Sequence, residues 1–170
     1  MINLKKNIKF LITLFILIGL SFHSNFVYAA GSSGNDATDK TSLYKSGKKL
    51  VLRAKKLEKK DKIEKAKKLY LKAYGKFEKA YAKGKKNADI LNYLGYTLRK
   101  AGDFKKAETY YLKGLELDAG HLGINEYLGE LYVQTGRIEL AKKRLEVLKG
   151  CKCEEYEELR ELIEEKKDLY

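Results

Sequence analysis

Few side chains in this sequence could do chemistry. The clearest candidates stand close together in G-C-K-C-E-E, Gly150 to Glu155, where Cys151 and Cys153 flank a single lysine just after a glycine placed to end a helix. Outside the cytoplasm such a pair oxidises, and its first role would be a disulfide staple. A ring closed over one intervening residue is strained, and strain eases reduction, so a thiol-active role is also open. Cys153 would stand near a helix N-terminus, which lowers a thiol pKa, but Glu154, Glu155, Glu157 and Glu158 oppose that effect. The pair is too few for zinc, which takes four donors, although two soft thiolates could hold Cu(I), for example between two molecules. Past the N-terminal thirty residues there is one histidine, His121, in a turn before a helix, where it would be solvated or serve as a cap. The sequence has no Gly-rich phosphate loop, no H-E-x-x-H and no G-x-S-x-G. The expectation is therefore a protein that is not an enzyme, with no cofactor and no dedicated metal site.

The compartment that decides the fate of the cysteines is indicated at the other end. Residues 1–29 carry Lys5, Lys6 and Lys9, an apolar run from Phe10 to Leu20, then polar residues and Val27-Tyr28-Ala29. That order is a cleaved secretory signal peptide, its apolar core short for a bilayer span. A periplasmic or secreted location follows. Residues 30–41, A-G-S-S-G-N-D-A-T-D-K-T, are small and polar without periodicity and read as a disordered leader.

Positioning must come from helices, because proline is absent throughout the 170 residues and the apolar residues recur at three- and four-residue steps. Asn92 to Tyr111 (N-Y-L-G-Y-T-L-R-K-A-G-D-F-K-K-A-E-T-Y-Y) returns 34 residues later as Glu126 to Leu145, with Leu94-Gly95, Gly102 and Ala107 becoming Leu128-Gly129, Gly136 and Ala141. Two short helices joined by a Gly-containing turn cannot bury both apolar stripes alone, and stacked copies can. The small residues mark where helices approach most closely. A less regular unit comes first: Ile63, Ala66 and Tyr70 imitate Phe104, Ala107 and Tyr111, but Ala66 stands 41 residues before Ala107. The seven extra residues make nearly two turns and keep the apolar face in phase, which predicts one long helix from about Lys62 to Lys83. Its partner, about Ser42 to Lys59, carries Leu43, Leu50, Ala54 and Leu57. Tyr156, Leu159, Leu162, Ile163 and Leu169 form one side of a final helix suited to capping the stack.

At these residues the chain resembles the tetratricopeptide repeat family, whose pattern is W-x2-L-G-x2-Y, A-x3-F, then P. Leu91 to Leu98 reads L-x2-L-G-x2-L before Ala107-x3-Tyr111, and Asn125 to Tyr132 reads N-x2-L-G-x2-Y before Ala141-x3-Leu145. Leu91 and Asn125 replace the tryptophan, Ala119 and Cys153 the proline, and Asn125 is expected to leave one packing slot poorly filled. The segment Cys153 to Tyr156, C-E-E-Y, also resembles the close of small exported bacterial repeat proteins that end in a cysteine pair. The resemblance implies an all-α fold, a tetratricopeptide-type α-α superhelix of about three helical hairpins plus a C-terminal capping helix. It spans 42–170, with repeats at about 42–83, 88–121 and 122–153 and the cap at 154–168.

In that family the first helix of each pair lines the concave side, so the resemblance implies a groove presenting Asn92, Tyr93, Tyr96 and Arg99, then Glu126, Tyr127 and Glu130. Lys48, Val51, Leu52 and Lys55 would extend it. Tyrosines among amide and charged neighbours suit a peptide or partner helix, although Tyr93 and Tyr127 could instead pack between helices. The family's dicarboxylate clamp does not carry over, because Gly123 and Tyr127 stand at two of its cationic positions.

The formal charge is +13, unevenly placed: Lys40 to Lys86 holds 19 basic and 4 acidic residues, whereas Cys151 onward holds 4 and 8. The basic block could attach to an anionic envelope polymer or lipid, or simply be solvated; nucleic acid does not fit export. The leading expectation is an exported protein-protein interaction adaptor that binds a partner in the groove. A thiol-active or Cu-binding factor and a Lys-rich attachment module are the alternatives.

Overall fold

The computed structural model describes residues 33–167, and the expected signal peptide at 1–29 lies outside them. Among the described residues every regular element is a helix: α1 Ser33–Glu58, α2 Ile63–Ala82, α3 Ala88–Ala101, α4 Phe104–Leu117, α5 Leu122–Gln134, α6 Ile138–Leu148 and α7 Glu154–Lys167. They pack as three antiparallel hairpins, α1 on α2, α3 on α4 and α5 on α6, stacked in chain order with α7 against both α5 and α6.

The helix starts are written locally. The Asn87 and Asp103 carboxamide and carboxylate oxygens accept from the amides of Ile90 at 3.1 Å and Lys106 at 3.2 Å, satisfying donors a helix start leaves unpaired. His121 does the same with its ring: Nδ1 accepts from the Ile124 amide at 3.2 Å. Of the two roles expected for His121, it takes that of a cap. The hairpin turns rest on Gly102 (φ 98°) and Gly136 (φ 73°), left-handed positions where a Cβ is disfavoured.

Two expectations need correction. Residues 33–41 are helical rather than unstructured, so α1 begins well before Ser42. With no proline or glycine pair in its way, an established helix propagates outward at small cost per residue, and Asp39 is tied to Lys83 at the far end of α2 by a 3.0 Å ion pair. The Asn125 slot is also not poorly filled. Asn125 is fully buried; its Nδ2 donates to the carbonyls of Ala119 and His121 at 3.0 and 3.1 Å, and its Oδ1 accepts from Arg144 at 3.3 Å. A polar network fastens the α4–α5 turn where the family pattern would place an indole.

Close approach of paired helices is set by glycine. A Cβ on Gly95 would fall 2.5 Å from the Tyr111 ring of α4, and one on Gly47 2.6 Å from the Phe77 ring of α2. Gly95 and Tyr111 are 16 residues apart and Gly47 and Phe77 are 30, so the first hairpin is longer by seven residues on each side of its turn. Matched lengthening on both sides leaves the facing register intact. Gly129 departs from the pattern: its face is covered by Leu159 of α7, not by α6. Over Gly129, Leu159 of the capping helix thus takes the place that Tyr111 of α4 takes over Gly95. The buried side chains form two clusters, one around Tyr70, Phe77 and Leu94 and one around Tyr111, Leu128 and Leu159, bridged by Tyr74, Tyr110 and Tyr127.

Candidate functional site

Because α1, α3 and α5 each open a hairpin, their outer faces meet along one side of the stack. Helical spacing puts Tyr44, Lys48, Val51 and Lys55 on one stripe of α1, and Asp89, Asn92, Tyr93 and Tyr96 on one stripe of α3. With Leu52 and Tyr127 these residues enclose a groove of about 370 Å³. The structure thus brings together Asn92, Tyr93, Tyr96 and Tyr127, and with them Lys48, Val51, Leu52 and Lys55.

The tyrosines serve packing and groove alike. Tyr93 stacks on buried Phe77 with ring centroids 4.8 Å apart and receives Tyr44 edge-on at 5.6 Å. Tyr96 leans on Tyr127 at 4.8 Å and meets Tyr70 edge-on at 5.8 Å. Each ring has one side fixed by a neighbour, so little conformational freedom remains to be lost on binding. Burial raises the phenol pKa values of Tyr44, Tyr96 and Tyr127, so all three remain O–H donors through the physiological range. Lys48 Nζ lies 5.8 Å from the Tyr44 and Tyr93 ring centres and Lys55 Nζ 5.2 Å from that of Tyr96, positions from which an ammonium is attracted to the ring face.

Three of the expected groove residues are not on this surface. Arg99 is only 4% exposed, and its guanidinium is bonded to the Glu130 carboxylate of the next hairpin. Tyr96 and Tyr127 cover it at 5.7 and 5.5 Å from their ring centres. Glu126 is 3% exposed. Burial, a hydrogen bond with Glu158 and the charges of Glu130, Glu158 and Glu155 push its pKa up to about 10, so it holds a proton at neutral pH. Helical phase alone placed these three toward the concave side; the tyrosine rings cover Arg99, and Glu126 and Glu130 keep only a small part of their surface. Glu126, Glu130 and Glu158 bring one carboxylate oxygen each within 4.8 Å of the others. A cation there would have to displace both the Glu126 proton and the Arg99 guanidinium.

Two lining residues, Tyr44 and Asp89, were not anticipated. Asp89 was signalled by the same three-residue spacing that gives Asn92, and Tyr44 by its four-residue step to Lys48. Past Asn92 and Tyr127 the groove runs on into a second hollow of about 460 Å³, whose walls include Asp118, His121, Gly123, Glu126 and Glu155. Asn92 lines both hollows, and its Oδ1, shielded from solvent, has no hydrogen-bond partner among the described residues. Gly123 holds the passage open, since a Cβ there would fall 2.9 Å from Asn92 Nδ2.

The cysteine pair is elsewhere, in the α6–α7 connection. The Cys151 and Cys153 sulfurs lie within bonding distance, their Cα atoms 5.2 Å apart, and Cys151 packs on the core cluster that includes Leu159.

Comparison with known proteins bears on α3 and α4 most directly. No curated protein matches the sequence. Among solved structures the chain is similar to YrrB, described as a TPR protein with an unusual peptide-binding site, at 21% identity and a TM-score of 0.41, over 58% of this chain. It spans 65% of YrrB's length. It is also similar to the Yersinia enterocolitica type III secretion chaperone SycD, solved with a peptide of the translocator YopD, at 18% identity and a TM-score of 0.47 over 72% of this chain and 92% of that one. Residues 88–121, the α3–α4 hairpin with the turn that follows it, match the model of the tetratricopeptide repeat family.

Proposed function

We propose that the protein is a non-catalytic interaction module that captures a peptide or partner helix in the groove of α1, α3 and α5. The observation that carries this reading is the convergence of Tyr44, Tyr93, Tyr96 and Tyr127 from three successive hairpins on one 370 Å³ groove. Rigid aromatic rings with one face anchored and amide and ammonium groups beside them are the composition of a binding surface that discriminates by shape and hydrogen bonding. The match of residues 88–121 to a repeat family supports the same reading. We further propose that capture takes place outside the cytoplasm, on the strength of the signal-peptide pattern in residues 1–29. In that compartment Cys151 and Cys153 act as a staple at the base of α7.

The test is affinity capture from the envelope fraction with the wild type and with Tyr93→Ala/Tyr127→Ala, each checked for helical content by circular dichroism. Partners that the wild type retains and a helical double variant loses support the reading. Identical retention by both removes the groove from consideration.

A further inference from the structure

The groove is electrostatically two-ended. At the α1 end Lys48 and Lys55 stand exposed on either side of the tyrosines, and neither is ion-paired among the described residues. The one acid on that wall, Asp89, is turned toward neighbours of its own: its oxygens lie 3.4 Å from His121 Nε2 and 3.5 Å from Asn87 Nδ2. At the α5–α7 end the sign reverses. Asp118 and Glu155 line the second hollow without a lysine or arginine, and protonated Glu126 forms its floor. Between the two ends lie the rings of Tyr93 and Tyr96 on α3 and Tyr127 on α5. The polarity runs along the groove: the lysines stand on α1, and the opposite sign comes from Asp118 in the α4–α5 turn and Glu155 of α7.

Given the groove reading above, on which this rests, we propose that its occupant is an extended bipolar peptide segment. An acidic side chain sits between Lys48 and Lys55, apolar residues cross the tyrosines, and a lysine or arginine reaches Asp118 and Glu155. The spacing follows from the architecture. The two ends are separated by two helix-to-helix steps of about 8–10 Å each, and an extended chain advances about 3.3 Å per residue. The opposite charges on the peptide therefore stand about five or six residues apart.

The experiment uses three end-capped, fluorescently labelled eight-residue peptides sharing an alternating Leu-Ala centre: one with two aspartates at one end and two lysines at the other, one with aspartates at both ends, one with lysines at both. Fluorescence anisotropy is measured on the wild type, on Lys48→Glu/Lys55→Glu and on Asp118→Asn/Glu155→Lys. The change at Asp118 removes its charge but keeps a side-chain oxygen for the Gly120 amide, which Asp118 Oδ1 accepts at 3.1 Å. The wild type is expected to bind the bipolar peptide at least tenfold more tightly than either single-sign peptide. The first variant should shift its preference to the lysine peptide and the second to the aspartate peptide. Equal binding of all three peptides overturns the bipolar occupant, and if that binding is still lost in Tyr93→Ala/Tyr127→Ala the groove reading stands. Strongest binding of the all-aspartate peptide by the wild type points to a polyanion and overturns the inference. Binding of none overturns the inference and the groove reading together.

Discussion

Arg99 of α3 and Glu130 of α5 are joined by an ion pair beneath the groove floor, with the Arg99 side chain 2% exposed and that of Glu130 21% exposed. The pair locks the second hairpin to the third at the level of Tyr96 and Tyr127, which lie over the guanidinium. Its energetic role is asymmetric, since removing one partner leaves a largely buried charge without its compensation. Arg99→Ala should lower the unfolding free energy by about 3 kcal/mol, read from urea denaturation. A loss below about 1 kcal/mol, the range of exposed pairs, would mean that the pair does not lock the hairpins.

Glu126 makes stability fall as pH rises. Its folded pKa, about 10, is above the ordinary value of 4.5, so between those values the unfolded chain has released a proton that the folded chain retains. Stability from this group is fully present below pH 4.5 and declines toward pH 10, with a slope of at most about 1.4 kcal/mol per pH unit. Glu126→Gln removes the titration while keeping the shape. The variant should gain on the wild type steadily from pH 5 to pH 9 in thermal melts; parallel pH profiles for the two proteins would contradict the assignment.

Glycines in this fold should divide by sign. Gly95→Ala places a methyl group 2.5 Å from the fully buried Tyr111 ring, and overpacking of that kind costs about 1–3 kcal/mol. Gly75, inside α2, has nothing within 4 Å of its added Cβ, so Gly75→Ala should stabilise by about 0.5–1 kcal/mol through helix propensity. Chemical denaturation of the two variants settles both. Destabilisation by each alike would show that the close approach at Gly95 is not special.

The cysteine pair should matter modestly. For the staple proposed above, loop-closure entropy for so short a ring gives about 1.5 kcal/mol, so Cys151→Ser/Cys153→Ser should lower the melting point by several degrees without changing the far-ultraviolet spectrum. Loss of helicity on substitution would instead place the pair among the groups needed to dock α7.

Much of this architecture is legible in the sequence, because a solenoid repeats its packing positions: Leu94-Gly95 and Leu128-Gly129 announce themselves by their spacing. Gly47 does not, since the first hairpin is lengthened on both sides of its turn and the partner of Gly47 is Phe77 rather than Tyr70. For the groove, helical phase selects Tyr93, Tyr96 and Tyr127 correctly but cannot tell a lining residue from one buried beneath it. Arg99 follows Tyr96 at a helical three-residue step, and only the packing of the rings puts it out of reach, while Glu126 keeps just 3% of its surface, at the second hollow. Likewise Asn125 reads as a flaw against a family pattern until its three hydrogen bonds are seen.

The most direct measurement is site-specific photo-crosslinking in the native compartment, with p-benzoyl-phenylalanine in place of Tyr93 on the groove or of Leu112, exposed on α4 away from it. A tyrosine-lined gripping face predicts discrete adducts from position 93 and none of the same size from position 112. Matching adducts from both positions, or adducts from position 112 alone, would contradict it.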